Sequence, residues 1–200
     1  MKDYKEIWNP MSDINLDTHW MPFTAMRAFK ANPRMITGAQ GHYFTTDDGR
    51  QVFDSLSGLW CTGAGHNVEV INAAITAQLS ELDFAPSFQF GHPKSFALAE
   101  RLGEWMPADL NRFFFTNSGS ETADTSLKIA RAYWRACGRG EKTKLIGRAK
   151  GYHGVNFGGM SLGGIGPNRK QFGLGVEADH LPATLLPENA FSHGMPQYGE

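Results

Sequence analysis

Cysteine, charge imbalance and long apolar runs are all scarce in this 200-residue sequence, and each scarcity excludes something. Only Cys61 and Cys137 are present. Two isolated cysteines make neither a disulfide framework nor a metal cluster, so a reduced, cytoplasmic setting is expected. Lys and Arg total 19 against 20 Asp and Glu, a net charge of −1. That balance offers no electrostatic attraction to nucleic acid or to an anionic membrane. No apolar stretch approaches the roughly 18 residues that a membrane helix needs. The first ten residues, MKDYKEIWNP, lack the apolar segment of a signal peptide. The seven histidines show no His-x-x-x-His spacing, so no zinc site is expected.

Glycine, by contrast, is plentiful: 23 residues, 12 of them between Gly138 and Gly175. Such a stretch is either loose or obliged to let backbone approach something closely. Residues 1–35 read as an irregular arm carrying Trp8, Trp20, Phe23 and Phe29. A hairpin is expected at 42–54, where two apolar-containing runs flank Asp47-Asp48-Gly49-Arg50. Asn67 suits the N-cap of a helix over about 68–82, with Ile71, Ala74, Ile75, Leu79 and Leu82 on one face. A second helix is expected at about 93–105, opened by Pro93.

Arg112-Phe113-Phe114-Phe115-Thr116 reads as a buried strand. It runs into Asn117-Ser118-Gly119-Ser120-Glu121 and then a third helix, which Gly138 should stop. Lys144-Leu145-Ile146-Gly147 reads as the next strand. Strand, glycine turn, helix and strand make a βαβ unit, so a parallel α/β sheet is expected. Beyond residue 150 the pattern fades to weak strand candidates such as 183–186. A compact domain seldom ends in about fifty structureless residues, so the sheet looks incomplete.

Three segments could carry chemistry. Thr116-Asn117-Ser118-Gly119-Ser120-Glu121 offers free N–H groups at a helix start, two hydroxyls and a glycine, the ingredients of a phosphate cup. The same residues also make an ordinary helix cap, with Ser118 or Ser120 capping and Glu121 favoured by the dipole. Neither a Walker lysine nor a Gly-x-Gly-x-x-Gly fingerprint accompanies them. Gly151-Tyr152-His153-Gly154 follows the next strand, where open α/β sheets bind ligands. Tyr152 there either faces a planar ligand or simply packs in a turn. Ser57-Gly58-Leu59-Trp60-Cys61 reads as a pocket wall, and the later Gly63 and Gly65 are a poor nucleotide signal. Phe88 and Phe90 read as core residues, and Lys150 as an exposed lysine beside a turn.

Together, Phe115 through Glu121, Leu127-Lys128-Ile129-Ala130-Arg131 and Gly151-Tyr152-His153-Gly154 resemble the class III pyridoxal phosphate aminotransferases. His19-Trp20-Met21-Pro22-Phe23-Thr24, Gly58-Leu59-Trp60-Cys61, Gly154-Val155-Asn156-Phe157-Gly158-Gly159 and Leu186-Pro187-Glu188-Asn189-Ala190-Phe191 resemble their omega-amino acid:pyruvate branch. The likeness runs from about residue 15 to the end. It implies the α/β fold of fold type I pyridoxal phosphate transferases, truncated here. Residues 1–66 would form an N-terminal arm and small-domain segment. Residues 67–200 would begin the cofactor-binding large domain and its mostly parallel sheet.

By the same resemblance Gly119 and Ser120 bind the phosphate of pyridoxal 5'-phosphate, with Ser118 adjoining. Tyr152 stacks on the cofactor ring and His153 supports it. Phe23, Leu59, Trp60 and Phe88 line the substrate pocket, Phe88 reaching into a neighbouring subunit. The implied reaction passes an amino group from an omega-amino acid or amine, such as β-alanine, to pyruvate, in a homodimer or homotetramer. The Schiff-base lysine is expected beyond Glu200, so this chain by itself is expected to be inactive. Two other readings compete: a non-catalytic pyridoxal-phosphate-binding or subunit-interaction module, and a sister activity of the same fold. The Trp60 and His19-Trp20 segments argue against the latter.

Overall fold

A computed structural model describes residues 14–173 and 175–183. The chain divides into two compact units, Met1–His92 and Pro93–Glu200. In the first, the order is α1 (Met26–Ala31), β1 (Ile36–Gln40), β2 (Tyr43–Thr46), β3 (Gln51–Phe53), α2 (Ser57–Trp60) and α3 (Glu69–Glu81).

The three strands form one antiparallel sheet in the order β1-β2-β3. The expected hairpin is its β2–β3 half, with Tyr43 opposite Phe53 and Thr45 opposite Gln51. Gly49 turns it at a φ of +83°, and the Thr46 N–H closes on the Arg50 carbonyl at 3.0 Å. The Asp48 carboxylate sits in the turn, where the Thr46 hydroxyl and then Arg50 hold its pKa down at about 2. Strand β1 was not foreseen. Thr37-Gly38-Ala39-Gln40 has no alternation to betray it, and a register shift lies between Ile36 and Gly38.

Helix α3 forms where expected but without the expected cap. Asn67 has a φ of +54°, and its side-chain amide donates to the Ala39 carbonyl. An N-cap residue needs extended backbone. That position falls to Val68, which makes no side-chain cap. The apolar residues of α3, including Ile71, Ile75 and Leu79, are exposed.

The second unit contains α4 (Pro93–Gly103), α5 (Gly119–Ala136), β4 (Leu145–Arg148), α6 (Phe157–Leu162), α7 (Gly166–Lys170) and β5 (Ala178–Leu181). Its strands pair in parallel, Leu145 against Ala178 through Arg148 against Leu181. A Lys144–Asp179 ion pair at 2.8 Å braces this ladder. The parallel arrangement agrees with expectation, but the partner differs. Residues 112–116, expected as a strand, join no ladder among the described residues, and Phe114 and Phe115 are exposed. An apolar run supplies the faces of a strand, whereas the ladder needs a neighbour that the local pattern cannot specify.

Helix α5 stops as predicted: Gly138 has a φ of +72° and its N–H reaches the Arg135 carbonyl at 3.0 Å. The region beyond 150 holds more structure than its pattern suggests. In α6, Phe-Gly-Gly-Met-Ser-Leu has poor intrinsic helix propensity, and packing makes the helix instead. Gly158 and Gly159 are buried, and the Gly159 N–H donates to Asp124 Oδ1 of α5 at 2.8 Å. The strand expected at 183–186 lies outside the described residues except for Ala183, which is buried and not in a strand. Only Phe29 and Ala183 are buried hydrophobic residues among those described. Within that set, no helix is long and apolar enough to cross a membrane, and no cluster of metal-ligating side chains is present.

Candidate functional site

The start of α5 is capped by two reciprocal side-chain hydrogen bonds. Ser118, in extended backbone at φ −153°, accepts the Glu121 N–H on Oγ at 3.1 Å. Glu121 returns its carboxylate to the Asn117 N–H at 2.8 Å. The Thr116 and Thr122 hydroxyls meet at 2.6 Å below it. The cap reading of the sequence is therefore realised, yet it leaves something over. The amides of Gly119 and Ser120 have no partner among the described residues. A Cβ placed on Gly119 would meet nothing within 4 Å. Two donors without a partner among the described residues thus stand at the positive end of an 18-residue helix, with open space beside Gly119. Ser118 and Ser120 each accept one hydrogen bond, which leaves each hydroxyl proton available to an anion.

The loop after β4 lies at the carboxyl end of that strand and is fastened to the same helix start. The Val155 N–H donates to Ser120 Oγ at 3.0 Å. Gly154 permits this approach. It is buried, has a φ of +104°, and a Cβ there would lie 2.6 Å from Ser120 Cα. Tyr152 just before it is exposed. His153 presents its carbonyl to the backbone of Gly159, where no Cβ would fit, while its side chain is exposed. The structure thus brings Ser118, Gly119 and Ser120 together with the loop of Tyr152 and His153. Val155 and Asp124, which make the two tethers, were not singled out in the sequence. Their bonds span 35 residues each, and no local pattern signals such a link.

The four pocket residues expected from the first unit are all exposed: Phe23, Leu59, Trp60 and Phe88. Phe23 lines a cavity of about 350 Å³ with Ala28, Phe29 and Arg34. Leu59 and Trp60 share α2, and that turn winds in the left-handed sense. Successive φ values are +49° at Ser57, +58° at Gly58, +62° at Leu59 and +69° at Trp60. Left-handed backbone costs residues with a Cβ about 1–2 kcal/mol each, and three of these four carry one. Asp54 anchors the turn: its Oδ2 accepts the Gly58 N–H at 2.7 Å and meets His66 Nε2 at 2.8 Å. Burial pushes the Asp54 carboxyl up, but hydrogen bonds from His66, Gly58 and Leu56 outweigh it and hold its pKa below the ordinary value.

A helix start whose first amides have no partner among the described residues lies beside a tyrosine loop at the edge of a parallel ladder, in an α/β arrangement. The class-III aminotransferase family model matches residues 25–190, and the chain belongs to that family. It is 58% identical over 188 residues to a beta-alanine–pyruvate aminotransferase of Pseudomonas aeruginosa, covering 94% of this chain and 42% of that protein. It is 56% identical over 189 residues to an omega-amino acid–pyruvate aminotransferase of Pseudomonas putida, with the same coverage of each. Among solved structures, an amine transaminase from an uncultivated Pseudomonas species in its PLP-bound form matches with a TM-score of 0.76. There the identity is 34%, with 83% of this chain and 38% of that chain covered. The chain spans about 42% of the length of these curated relatives.

Proposed function

We propose that this chain forms part of a pyridoxal-phosphate-dependent transaminase, which moves the amino group of an omega-amino acid or amine, such as β-alanine, to pyruvate. The observation that carries this reading is the pair of amides at Gly119 and Ser120, without partners among the described residues, with open space beside Gly119 and the Tyr152 loop tethered to Ser120. The residues fit the cofactor. A phosphate dianion suits the helix start and the two serine protons, and a flat cationic ring suits the exposed face of Tyr152.

In this reading the Gly119 and Ser120 N–H groups and the Ser118 and Ser120 hydroxyls hold the phosphate. Because Ser120 also receives the Val155 N–H, gripping the phosphate and placing the tyrosine loop become one mechanical unit. His153 supports that loop through its backbone. Bound pyridoxal phosphate supplies an electron sink that the protein's own side chains lack. Phe23, Leu59, Trp60 and Phe88 limit the size of the amine and exclude water from it. The lysine of the family and the remaining catalytic groups would come from sequence beyond Glu200, and the working form would be a cytoplasmic homodimer or homotetramer. The relatives' names for β-alanine, omega-amino acids and pyruvate support the choice of substrates.

The test is calorimetric titration of the chain with pyridoxal phosphate. Gly119→Val should weaken binding at least tenfold while thermal unfolding stays unchanged, because the new side chain fills the space that the phosphate would take. Equal affinity for the two proteins would remove these amides from the cofactor site.

A further inference from the structure

The left-handed turn of α2 is the most strained stretch of the described chain, and burial does not explain it. Leu59 and Trp60 are 63% and 82% exposed. Their side chains gain little from packing to offset an unfavourable backbone. Within the turn, the Trp60 N–H reaches the Leu56 carbonyl, and the Cys61 and Thr62 N–H groups share the Ser57 carbonyl, all at 2.8 Å. From outside, Asp54 holds the turn twice: its Oδ2 accepts the Gly58 N–H at 2.7 Å and its backbone carbonyl accepts the Ser57 N–H at 3.4 Å.

That anchor is itself rigidly placed. Asp54 and His66 have side chains 6% and 13% exposed, far drier than the turn they serve. His66 exchanges both backbone hydrogen bonds with Gly41, at 2.7 and 3.1 Å, and its ring lies 4.6 Å from that of Phe44 in β2. A continuous path therefore runs from the hairpin sheet through Gly41 and Phe44 to His66, on to Asp54, and into the Gly58 amide. Buried polar pairs of this kind fix one arrangement among several. Strained backbone held by such a pair points to function.

We propose that Asp54 and His66 are positioning residues for substrate selection. Their pair locks the Ser57–Trp60 turn left-handed, and so fixes where Leu59 and Trp60 stand to receive the amine. The use of Leu59 and Trp60 as amine contacts rests on the function proposed above, whereas the lock itself does not. A free turn would relax Leu59 and Trp60 to negative φ and rotate both side chains away from their present directions.

The chain labelled with 5-fluorotryptophan separates these claims by fluorine NMR, with Trp60→Phe assigning the Trp60 line. In Asp54→Ala and His66→Ala the Trp60 line should shift or split, while the lines of Trp105 and Trp134 hold still as a check on folding. Adding Ser57→Gly to Asp54→Ala should restore the single line, because glycine adopts the left-handed region without cost. A merely structural role for Asp54 would not be rescued at Ser57. Asp48→Ala, a carboxylate of the hairpin turn, should leave the Trp60 line in place. An unmoved Trp60 line in both Asp54→Ala and His66→Ala overturns the lock. In the whole enzyme, the same variants should raise KM for the amine at least tenfold with kcat within twofold. A moved line with unchanged KM overturns the role in selection and leaves the lock standing. Absence of pyridoxal phosphate binding by the unsubstituted protein in the calorimetric titration would instead count against the transaminase reading.

Discussion

Gly154→Ala is the sharpest perturbation of the proposed cofactor cup, because one methyl group touches both of its halves. The new Cβ would lie 2.6 Å from Ser120 Cα, 2.6 Å from Ser120 Oγ and 2.9 Å from Ser120 Cβ. The atoms it meets belong to the first turn of α5, so no flexible side-chain tip can swing aside. Three costs combine. Backbone at a φ of +104° penalises alanine by about 1–3 kcal/mol. Relieving the overlap costs about 1–3 kcal/mol, as overpacking generally does. Moving the loop off Ser120 breaks the 3.0 Å bond from Val155, worth about 1 kcal/mol. The lower entropy of the unfolded chain returns about 0.4–1 kcal/mol. A net loss of about 2–6.5 kcal/mol follows, above the roughly 1 kcal/mol of an average substitution.

Urea unfolding followed by circular dichroism reads that loss as a fall in midpoint at unchanged slope. Calorimetry should show a melting temperature lower by about 4–25 °C. Gly138→Ala isolates the backbone cost. Gly138 also has positive φ, +72°, but a Cβ there meets nothing within 4 Å. That variant should lose only about 1 kcal/mol. If Gly154→Ala loses no more than Gly138→Ala, the close approach of the loop to Ser120 is wrong, and with it the coupling of the phosphate grip to Tyr152.

Ser118→Ala removes the acceptor for the Glu121 N–H and should cost about 1 kcal/mol in urea unfolding; no loss would mean that Ser118 does not cap the helix. Lys144 and Asp179 each favour their charged forms through the other, Lys144 raised and Asp179 lowered. Their stabilisation should therefore hold above the ordinary carboxylate range and below the ordinary lysine range. It should fade as pH falls through the depressed Asp179 pKa or rises through the elevated Lys144 pKa, and a Lys144→Met protein should lack both slopes. With its apolar side chains so widely exposed, the chain should self-associate at micromolar concentration. A sharp 22.1 kDa monomer peak by light scattering at high concentration would contradict that.

Short-range features of this fold were legible in the sequence, because they depend on residues near one another. Gly49 made the hairpin turn, Pro93 opened α4, and Ser118 with Glu121 marked the start of α5. What was not legible depends on distance. Residues 112–116 have the composition of a buried strand but find no ladder partner among the described residues. β5 pairs with β4 across 33 positions, Leu145 to Ala178, with only four residues to announce it. Helix α6 has a sequence that argues against a helix, and it forms because Asp124 and the His153 carbonyl need glycines to approach them. The glycine excess between 138 and 175 was visible as a number; its meaning required knowing which backbone lay opposite.

The candidate site divides along the same line. Ser118, Gly119, Ser120, Tyr152 and His153 could be named from local motifs and from the family that those motifs resemble. The bond from Val155 to Ser120 could not, although it is what joins the two motifs into one site. Asp54 and His66 lay further out of reach. Neither belongs to a periodic face or a ligand spacing, and the left-handed winding at Ser57, Leu59 and Trp60 runs against the propensity of every residue but Gly58. Sequence reasoning rests on residues adopting the backbone they prefer, so it fails where a tertiary anchor holds them elsewhere. The failure at residues 57–60 therefore carries information of its own: a segment that no local rule predicts, held by a nearly dry acid–imidazole pair, is where the chain has given up stability to place two exposed side chains.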